Sequence, residues 1–111
     1  MSDLKHWFGD MQEVAARRAR DGGAYLEFLR VPTMSVGLYV LAAGCQDQQS
    51  PHQQDEAYLV LQGRARMRVA AEDRPVSQGS FIFVAAEVEH RFFDIEEDLS
   101  VLVFFAPAES T

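Results

Sequence analysis

The chain has 111 residues, of which 48% are hydrophobic, and carries 17 acidic against 10 basic side chains, for a formal net charge of −7. This length and composition fit one domain with a core of its own. The acidic balance would repel a phosphate backbone and therefore argues against binding of nucleic acid.

The N-terminus and the single cysteine indicate a reducing compartment. The first ten residues, MSDLKHWFGD, carry charges where a signal peptide needs an uninterrupted apolar stretch. No apolar run reaches the roughly 18–20 residues that a membrane-spanning helix needs. Cys45 has no second cysteine to pair with, and we expect it to fill space as a small buried residue. We therefore predict a cytoplasmic protein that does not bind membranes.

Residues 1–22 are predicted to form a helix. Ser2 or Asp3 can cap its start, and Gly22 and Gly23 end it after a basic last turn. Side chains at helical spacing predict that the helix packs on the sheet of its own chain or on that of a second subunit. They are Leu4, Trp7, Phe8, Met11, Val14, Ala15 and Arg18.

From Tyr25 onward the pattern is typical of short strands. Seven β-favouring segments with turn signals about every 8–12 residues favour an all-β sandwich or barrel. Among the turns, Glu72 to Pro75 separates two segments, and Gly63 and Gly79 are expected to have positive φ. The segments are YLEFLRV, MSVGLYVLA, EAYLVLQ, RARMRVA, SFIFVA, EHRFFDI and LSVLVFFA. In the fourth segment, RARMRVA, the arginines are predicted to face solvent, and the residues between them are predicted to face the core.

Two segments carry the residues with the clearest chemistry. His52 and Glu56 lie four residues apart at the entry to an apolar segment, and His90 follows another apolar segment. Two imidazoles and a carboxylate that converge can hold a divalent transition metal and leave coordination positions open.

The spacing of these residues resembles the two motifs of small single-domain cupins, the RmlC-like jelly-roll family. The first family motif is G-x5-H-x-H-x3-4-E-x6-G, and this chain has Gly44-x5-Ser50-x-His52-x3-Glu56-x6-Gly63. The second is G-x5-P-x-G-x2-H-x3-N, and the chain has Gly79-x5-Ala85-x-Glu87-x2-His90-x3-Asp94. Ser50 thus replaces one histidine, and three residues of the second motif differ. The resemblance covers about residues 36–107.

The resemblance implies a fold and its boundaries. It is an all-β cupin-type double-stranded β-helix, a jelly-roll barrel over residues 25–107, with the N-terminal helix before it and a loose tail over residues 108–111. Exposed strand edges and the apolar helix stripe predict a homodimer.

The resemblance also implies a metal site inside the barrel. Its predicted ligands are His52, Glu56 and His90, with Ser50 at the fourth position, and the ion would be Fe, Mn, Ni or Zn. Serine is a weak ligand, so either three protein groups hold the metal or the pocket is free of metal. Gln53 or Gln54 can add an oxygen donor or face solvent, whereas Asp55 is expected to point away.

Three functions are compatible with such a site. The first is metal-dependent chemistry on a small organic molecule, with oxygenase-like chemistry favoured because three protein ligands leave places for substrate and dioxygen; lyase or isomerase activity also fits. Tyr58, expected on the inner face with Glu56 and Val60, is the candidate catalytic residue or a packing residue. The second is a non-enzymatic small-molecule-binding or sensor cupin. The third is a structural cupin whose interior is filled by aromatic side chains.

Overall fold

The computed structural model describes residues 4–48 and 51–110, which form one helix and six strands. In this part of the chain no helix is long and apolar enough to cross a membrane. In chain order the elements are α1 (Met11–Asp21), β1 (Tyr25–Val31), β2 (Met34–Leu41), β3 (Asp55–Val69), β4 (Glu72–Ser77), β5 (Phe81–Val84) and β6 (His90–Ala106).

Helix α1 begins later than the sequence pattern predicts because its cap lies at Asp10. The Asp10 side chain accepts a hydrogen bond of 2.8 Å from the backbone N–H two residues on, which satisfies one donor of the first turn. The helix ends as predicted at Gly22, whose φ of 82° lets its N–H donate to the carbonyl of Arg18. The predicted caps at positions 2 and 3 lie outside the described residues.

Helix α1 packs on β1 and β2 of its own chain. Val14 is the buried residue of the helix. In the segment before the helix, the ring of Trp7 stacks against that of Phe28, with centroids 5.5 Å apart. The helix and this segment therefore cover the β1 end of the sheet.

The strands form one antiparallel sheet in the order β1-β2-β6-β3-β4, and β5 pairs with the first part of β3. Among the described residues, the pairing of the strands does not close into a ring. The long strands β3 and β6 pair from end to end, with register shifts between Val60 and Arg66. Such bulges bend a strand without ending it, so the sheet folds over and brings its two halves face to face.

This bend accounts for the difference from the seven predicted strands. The segments predicted at 56–62 and 64–70 are one strand, β3, and those at 89–95 and 99–106 are one strand, β6. The turn predicted from Glu72 to Pro75 is instead the start of β4. Gly63 lies inside β3 with φ of 101°, and a Cβ there would stand 2.3 Å from the carbonyl oxygen of Asp98. The positive φ predicted for Gly63 and Gly79 is confirmed.

The core lies between the facing halves of the sheet. The alternation predicted for β3 is confirmed, because Ala65 and Met67 are buried while the three arginines point outward. Nearer the start of β3, every second side chain faces inward. The buried inward residues are Glu56, Tyr58 and Val60 from β3 and His90 and Phe92 from β6, as the sequence predicts.

Candidate metal centre

The structure brings the three predicted ligands together. Glu56 is the second residue of β3, His90 is the first of β6, and His52 lies in the loop before β3. One ligand atom from each lies within 4.8 Å of the others. His90 pairs with Val69 at the far end of β3, so it is the bend of the sheet, not strand pairing, that places it beside Glu56.

His90 has the tautomer that a metal ligand needs. Its Nδ1 lies 2.9 Å from the carbonyl oxygen of Val88, which can only accept a hydrogen bond, so Nδ1 carries a proton. The other nitrogen, Nε2, lies 3.0 Å from Oε1 of Glu56. A backbone carbonyl on one imidazole nitrogen fixes the ring and directs the other nitrogen toward the ion.

Three polar atoms at this point are buried without a hydrogen-bond partner among the described residues. They are both carboxylate oxygens of Glu56 and Nε2 of His90; the close approach of the two side chains is not aligned as a hydrogen bond. The exposed fractions of the two side chains are only 2% and 1%. Burying an unpaired polar group costs about 1–3 kcal/mol, and more when it is charged. A cation held by all three residues would remove that cost, and the donor set suits a divalent transition metal.

The carboxylate also changes the protonation of His90. Burial lowers the pKa of His90, but the interaction with Glu56 and the hydrogen bond to the Val88 carbonyl outweigh it, and the Asp47 charge adds to them. The net pKa lies above the ordinary 6.5. A metal ion must therefore displace a proton that the metal-free site holds more firmly than a free imidazole does.

A cavity of about 230 Å³ is lined by two of the three residues, His52 and Glu56. This volume is below the roughly 300–1,000 Å³ of pockets for drug-sized ligands, so it suits a smaller molecule. Its walls are mainly aromatic and apolar, and within the described residues neither lysine nor arginine lines it. The lining residues are Tyr25, Tyr39, His52, Glu56, Tyr58, Val103, Phe105 and Glu109.

Tyr58, the predicted catalytic residue, is completely buried and lines this cavity. Its ring packs edge-on against Phe92, with centroids 5.2 Å apart, and lies 5.9 Å from the ring of His90. The residue is thus both a core side chain and an aromatic neighbour of His90.

Two other residues considered from the sequence, Gln54 and Asp55, lie outside the cluster. Ser50 is outside the described residues. Asp55 points away as predicted, and its Oδ1 accepts a hydrogen bond of 2.9 Å from the N–H of Ala86. Gln54 does not face solvent, because it is buried and donates from Nε2 to Oγ of Ser110 at 3.0 Å.

The prediction of a buried Cys45 is wrong, because its side chain is exposed. Cys45 lies in the turn that follows β2, where its N–H donates to the carbonyl of Ala42. A residue in such a turn has no neighbouring strand to cover it. The prediction used only the apolar character of cysteine, which favours a buried position.

Two acidic residues near the site were not predicted. Asp47 is buried, and its carboxylate accepts hydrogen bonds from the hydroxyl of Tyr39 at 2.7 Å and from the N–H of Phe92 at 2.9 Å. Burial, reinforced by Asp47, raises the pKa of Tyr39 well above its usual range. Asp47 thereby joins the loop before the site to β2 and β6 and fixes one wall of the cavity.

The second is Glu109, near the C-terminus. Its Oε2 lies 3.6 Å from Nδ1 of His52 at the edge of the cavity. Burial raises the pKa of Glu109; the neighbouring His52 opposes this effect, and the charges of Glu27 and Glu56 add to it. Nothing in the local sequence marks either residue, since both reach the site through contacts between distant parts of the chain.

Comparison with known proteins agrees with this fold. Residues 37–105 match the model of the cupin domain family. The chain is 53% identical over 100 residues to an uncharacterized protein of Streptomyces coelicolor, which covers 90% of this chain and 95% of that one.

Solved structures show the same architecture. A Thermus thermophilus protein superposes with a TM-score of 0.75 at 23% identity, over 91% of this chain and 97% of its own. KdgF from a Halomonas species gives 0.69 at 20% identity, over 75% and 78%. An RmlC-like cupin of Methanocaldococcus jannaschii with a double-stranded β-helix fold gives 0.68 at 16% identity, over 75% and 78%. The chain therefore belongs to the cupin family and has its double-stranded β-helix fold.

Proposed function

We propose that this cupin holds a divalent transition-metal ion on His52, Glu56 and His90 and uses it in chemistry on a small organic molecule in the adjoining cavity. The observation that carries the proposal is the convergence of His52, Glu56 and His90, at which the carboxylate oxygens of Glu56 and Nε2 of His90 are buried and make no hydrogen bond within the described residues. When bound, such an ion supplies a Lewis acid or a centre for reaction with dioxygen. The donor set suits Fe, Mn, Ni and Zn, and Ser50 stays the predicted fourth donor.

The protein groups around the ligands have distinct tasks in this proposal. The Val88 carbonyl keeps the proton of His90 on Nδ1, away from the ion. Apolar walls that include Val103 and Phe105 exclude water and contact the substrate's carbon skeleton. The hydroxyl of Tyr58 donates or accepts a proton at the substrate. Among reactions, we favour oxygenase-like chemistry, because three protein ligands leave places for two further molecules.

A ligand search with the metal-loaded protein tests this function. Small uncharged organic molecules are screened by ligand-observed NMR, and each one that binds is incubated aerobically with the Fe-, Mn-, Ni- or Zn-loaded protein and followed by mass spectrometry. We expect at least one to be converted, and Tyr58→Phe to lower kcat by about 10²–10⁴-fold, the usual contribution of a positioned acid or base. Its dissociation constant should change little, because the ring stays in place.

The rival function, a small-molecule-binding or sensor cupin, predicts a different result. The edge-on packing of Tyr58 on Phe92 favours this rival function, because a tyrosine packed in this way can be a purely structural residue with no part in catalysis. Molecules that bind in the cavity but are recovered unchanged with all four metals would support the binding module and contradict the enzymatic proposal. The open cavity argues against the third possibility, a filled interior.

We also propose that the chain forms a homodimer through the outer face of β5 and β3. Phe81 and Phe83 on that face are 64% and 60% exposed. In register, Leu59 lies beside Phe81 and Leu102, so the apolar face continues across β3 to β6. A second copy fits this face because all these side chains are uncharged, so two such faces can pair despite the net charge of −7. A cytoplasmic location stays a prediction.

Sedimentation equilibrium tests the dimer. The wild-type protein should have the mass of two chains, and Phe83→Lys should have the mass of one, because two lysines would be brought together in an apolar interface. Phe8→Lys, a change at another exposed phenylalanine in the segment before α1, is the control and should stay dimeric. A wild-type protein with the mass of one chain would contradict the proposal.

A further inference from the structure

The C-terminal strap, defined here as residues 107–110, lies fixed across the rim of the cavity. The N–H of Glu109 donates to Oγ of Ser35 at 2.9 Å, and Nη2 of Arg30 donates to the Glu109 carbonyl at 2.6 Å. Before Glu109, the N–H of residue 108 donates to a carbonyl of the β1–β2 turn at 3.3 Å. After Glu109, Oγ of Ser110 accepts a hydrogen bond from the side chain of Gln54. Because Ser35 and Gln54 are buried, interior groups hold the last two residues of the strap.

The strap places the carboxylate of Glu109 against one nitrogen of His52. Oε2 of Glu109 lies 3.6 Å from Nδ1, while Oε1 of Glu56 lies 3.8 Å from Nε2. The two nitrogens of this imidazole thus face two different carboxylates. The ring also packs edge-on against Phe105, with centroids 4.9 Å apart, so its plane is already restricted.

We propose that Glu109 is the positioning residue of the metal centre: its carboxylate accepts the Nδ1 proton of His52 and so keeps Nε2 free to bind the ion. This inference rests on the proposed metal site. The Val88 carbonyl does the same for His90, and metal-binding histidines generally donate their second N–H to a carboxylate or carbonyl. The present separation exceeds the usual N–H···O limit by roughly 0.4 Å, so the hydrogen bond requires the Glu109 carboxylate and the His52 ring to approach each other by about that distance.

A direct bond from Glu109 to the metal fits the geometry less well. Its carboxylate does not belong to the group of ligand atoms that lie within 4.8 Å of one another. It faces Nδ1, on the opposite side of the His52 ring from Glu56. The role of Glu109 is therefore exerted through His52.

Metal affinity is the first test. For Co²⁺ titrated into metal-free protein, Glu109→Ala should raise the dissociation constant about 10–100-fold. Glu109→Gln should raise it less, because the amide oxygen still accepts the hydrogen bond. Ser35→Ala, which removes an anchor of the strap without changing charge, should reproduce part of the effect. Glu13→Gln is the control, since it removes an exposed carboxylate of helix α1 and leaves the strap and its anchors unchanged.

The proposal would be overturned if Glu109→Ala weakened Co²⁺ binding no more than Glu13→Gln does, because only the general charge would then matter. It would also be overturned if Glu109→Ala lost the metal as completely as His52→Ala, which would make Glu109 a ligand itself.

The tautomer of His52 is the second test and needs no metal. In ¹⁵N NMR of the neutral imidazoles of metal-free protein, the proton of His52 should lie on Nδ1, and in Glu109→Ala it should move to Nε2, the form that free imidazole prefers. His90 should keep its proton on Nδ1 in both. A wild-type His52 with its proton on Nε2 would refute the positioning role. A protein that passes this test and binds no metal would instead refute the proposed function alone.

Discussion

Replacing His90 with alanine should abolish metal binding while the fold is kept. The change removes one of three protein ligands, so the loss of affinity should exceed the roughly 10–100-fold that follows from removing an outer hydrogen-bond partner of a ligand. In the metal-free protein below the raised pKa of His90, Glu56 would lose the imidazolium that faces it at 3.0 Å, and a buried polar group left alone costs about 1–3 kcal/mol. Metal content after gel filtration and the free energy of unfolding in urea measure the two effects.

His6→Ala provides the matched control for this experiment. His6 is exposed in the segment before α1, and its replacement should change neither metal content nor stability. If His90→Ala retained metal at the level of His6→Ala, His90 would not be a ligand and the site assignment would be wrong.

Replacing Glu56 with glutamine should weaken metal binding but make the metal-free protein more stable. The amide has the shape of the carboxylate without its charge, so metal binding should fall as far as in His90→Ala. The metal-free protein, in contrast, should become more stable by about 1–3 kcal/mol, because both carboxylate oxygens are buried without a partner among the described residues. The comparison must be made above the raised pKa of His90, since below it the protonated imidazole pairs with Glu56 and stabilises the native state.

Asp55→Asn is the control for this change. Asp55 immediately precedes Glu56 in β3, but it is exposed and accepts a hydrogen bond from the N–H of Ala86. Its replacement should leave metal affinity unchanged. A Glu56→Gln protein that is less stable than the wild type under these conditions would show that the carboxylate has a structural role, which contradicts a site built to receive a cation.

The three residues of the candidate metal centre could be picked out from the sequence because their signal is local. His52 and Glu56 are four residues apart, and the glycines around them set the family spacing. The alternation of inner and outer residues near Glu56 also follows from the sequence, because a strand turns successive side chains to opposite faces.

The strand count could not be predicted in the same way. A bulge and a turn both appear as a glycine or a polar interruption, and only pairing with β6 shows that β3 continues past Gly63. The glycine is needed there because a Cβ would collide with the carbonyl of Asp98. Asp98 belongs to β6, so the collision arises only once the two long strands have paired.

The strap and the buried Asp47 were missed for a related reason. Glu109 reaches His52 because Arg30 and Ser35 on other strands hold its backbone. Asp47 is buried because it accepts a hydrogen bond from the N–H of Phe92. Contacts of this kind form only in the folded sheet, so no pattern of residues that are neighbours in the sequence predicts them.

The most direct test of the metal centre is the metal content of the untagged protein. The chain is reconstituted anaerobically with Fe, Mn, Ni or Zn in turn, passed over a desalting column, and measured by inductively coupled plasma mass spectrometry beside His52→Ala. We expect about one ion per chain for at least one metal and almost none in the variant. A wild-type protein that retains none of the four metals would contradict the assignment of His52, Glu56 and His90 as a metal site.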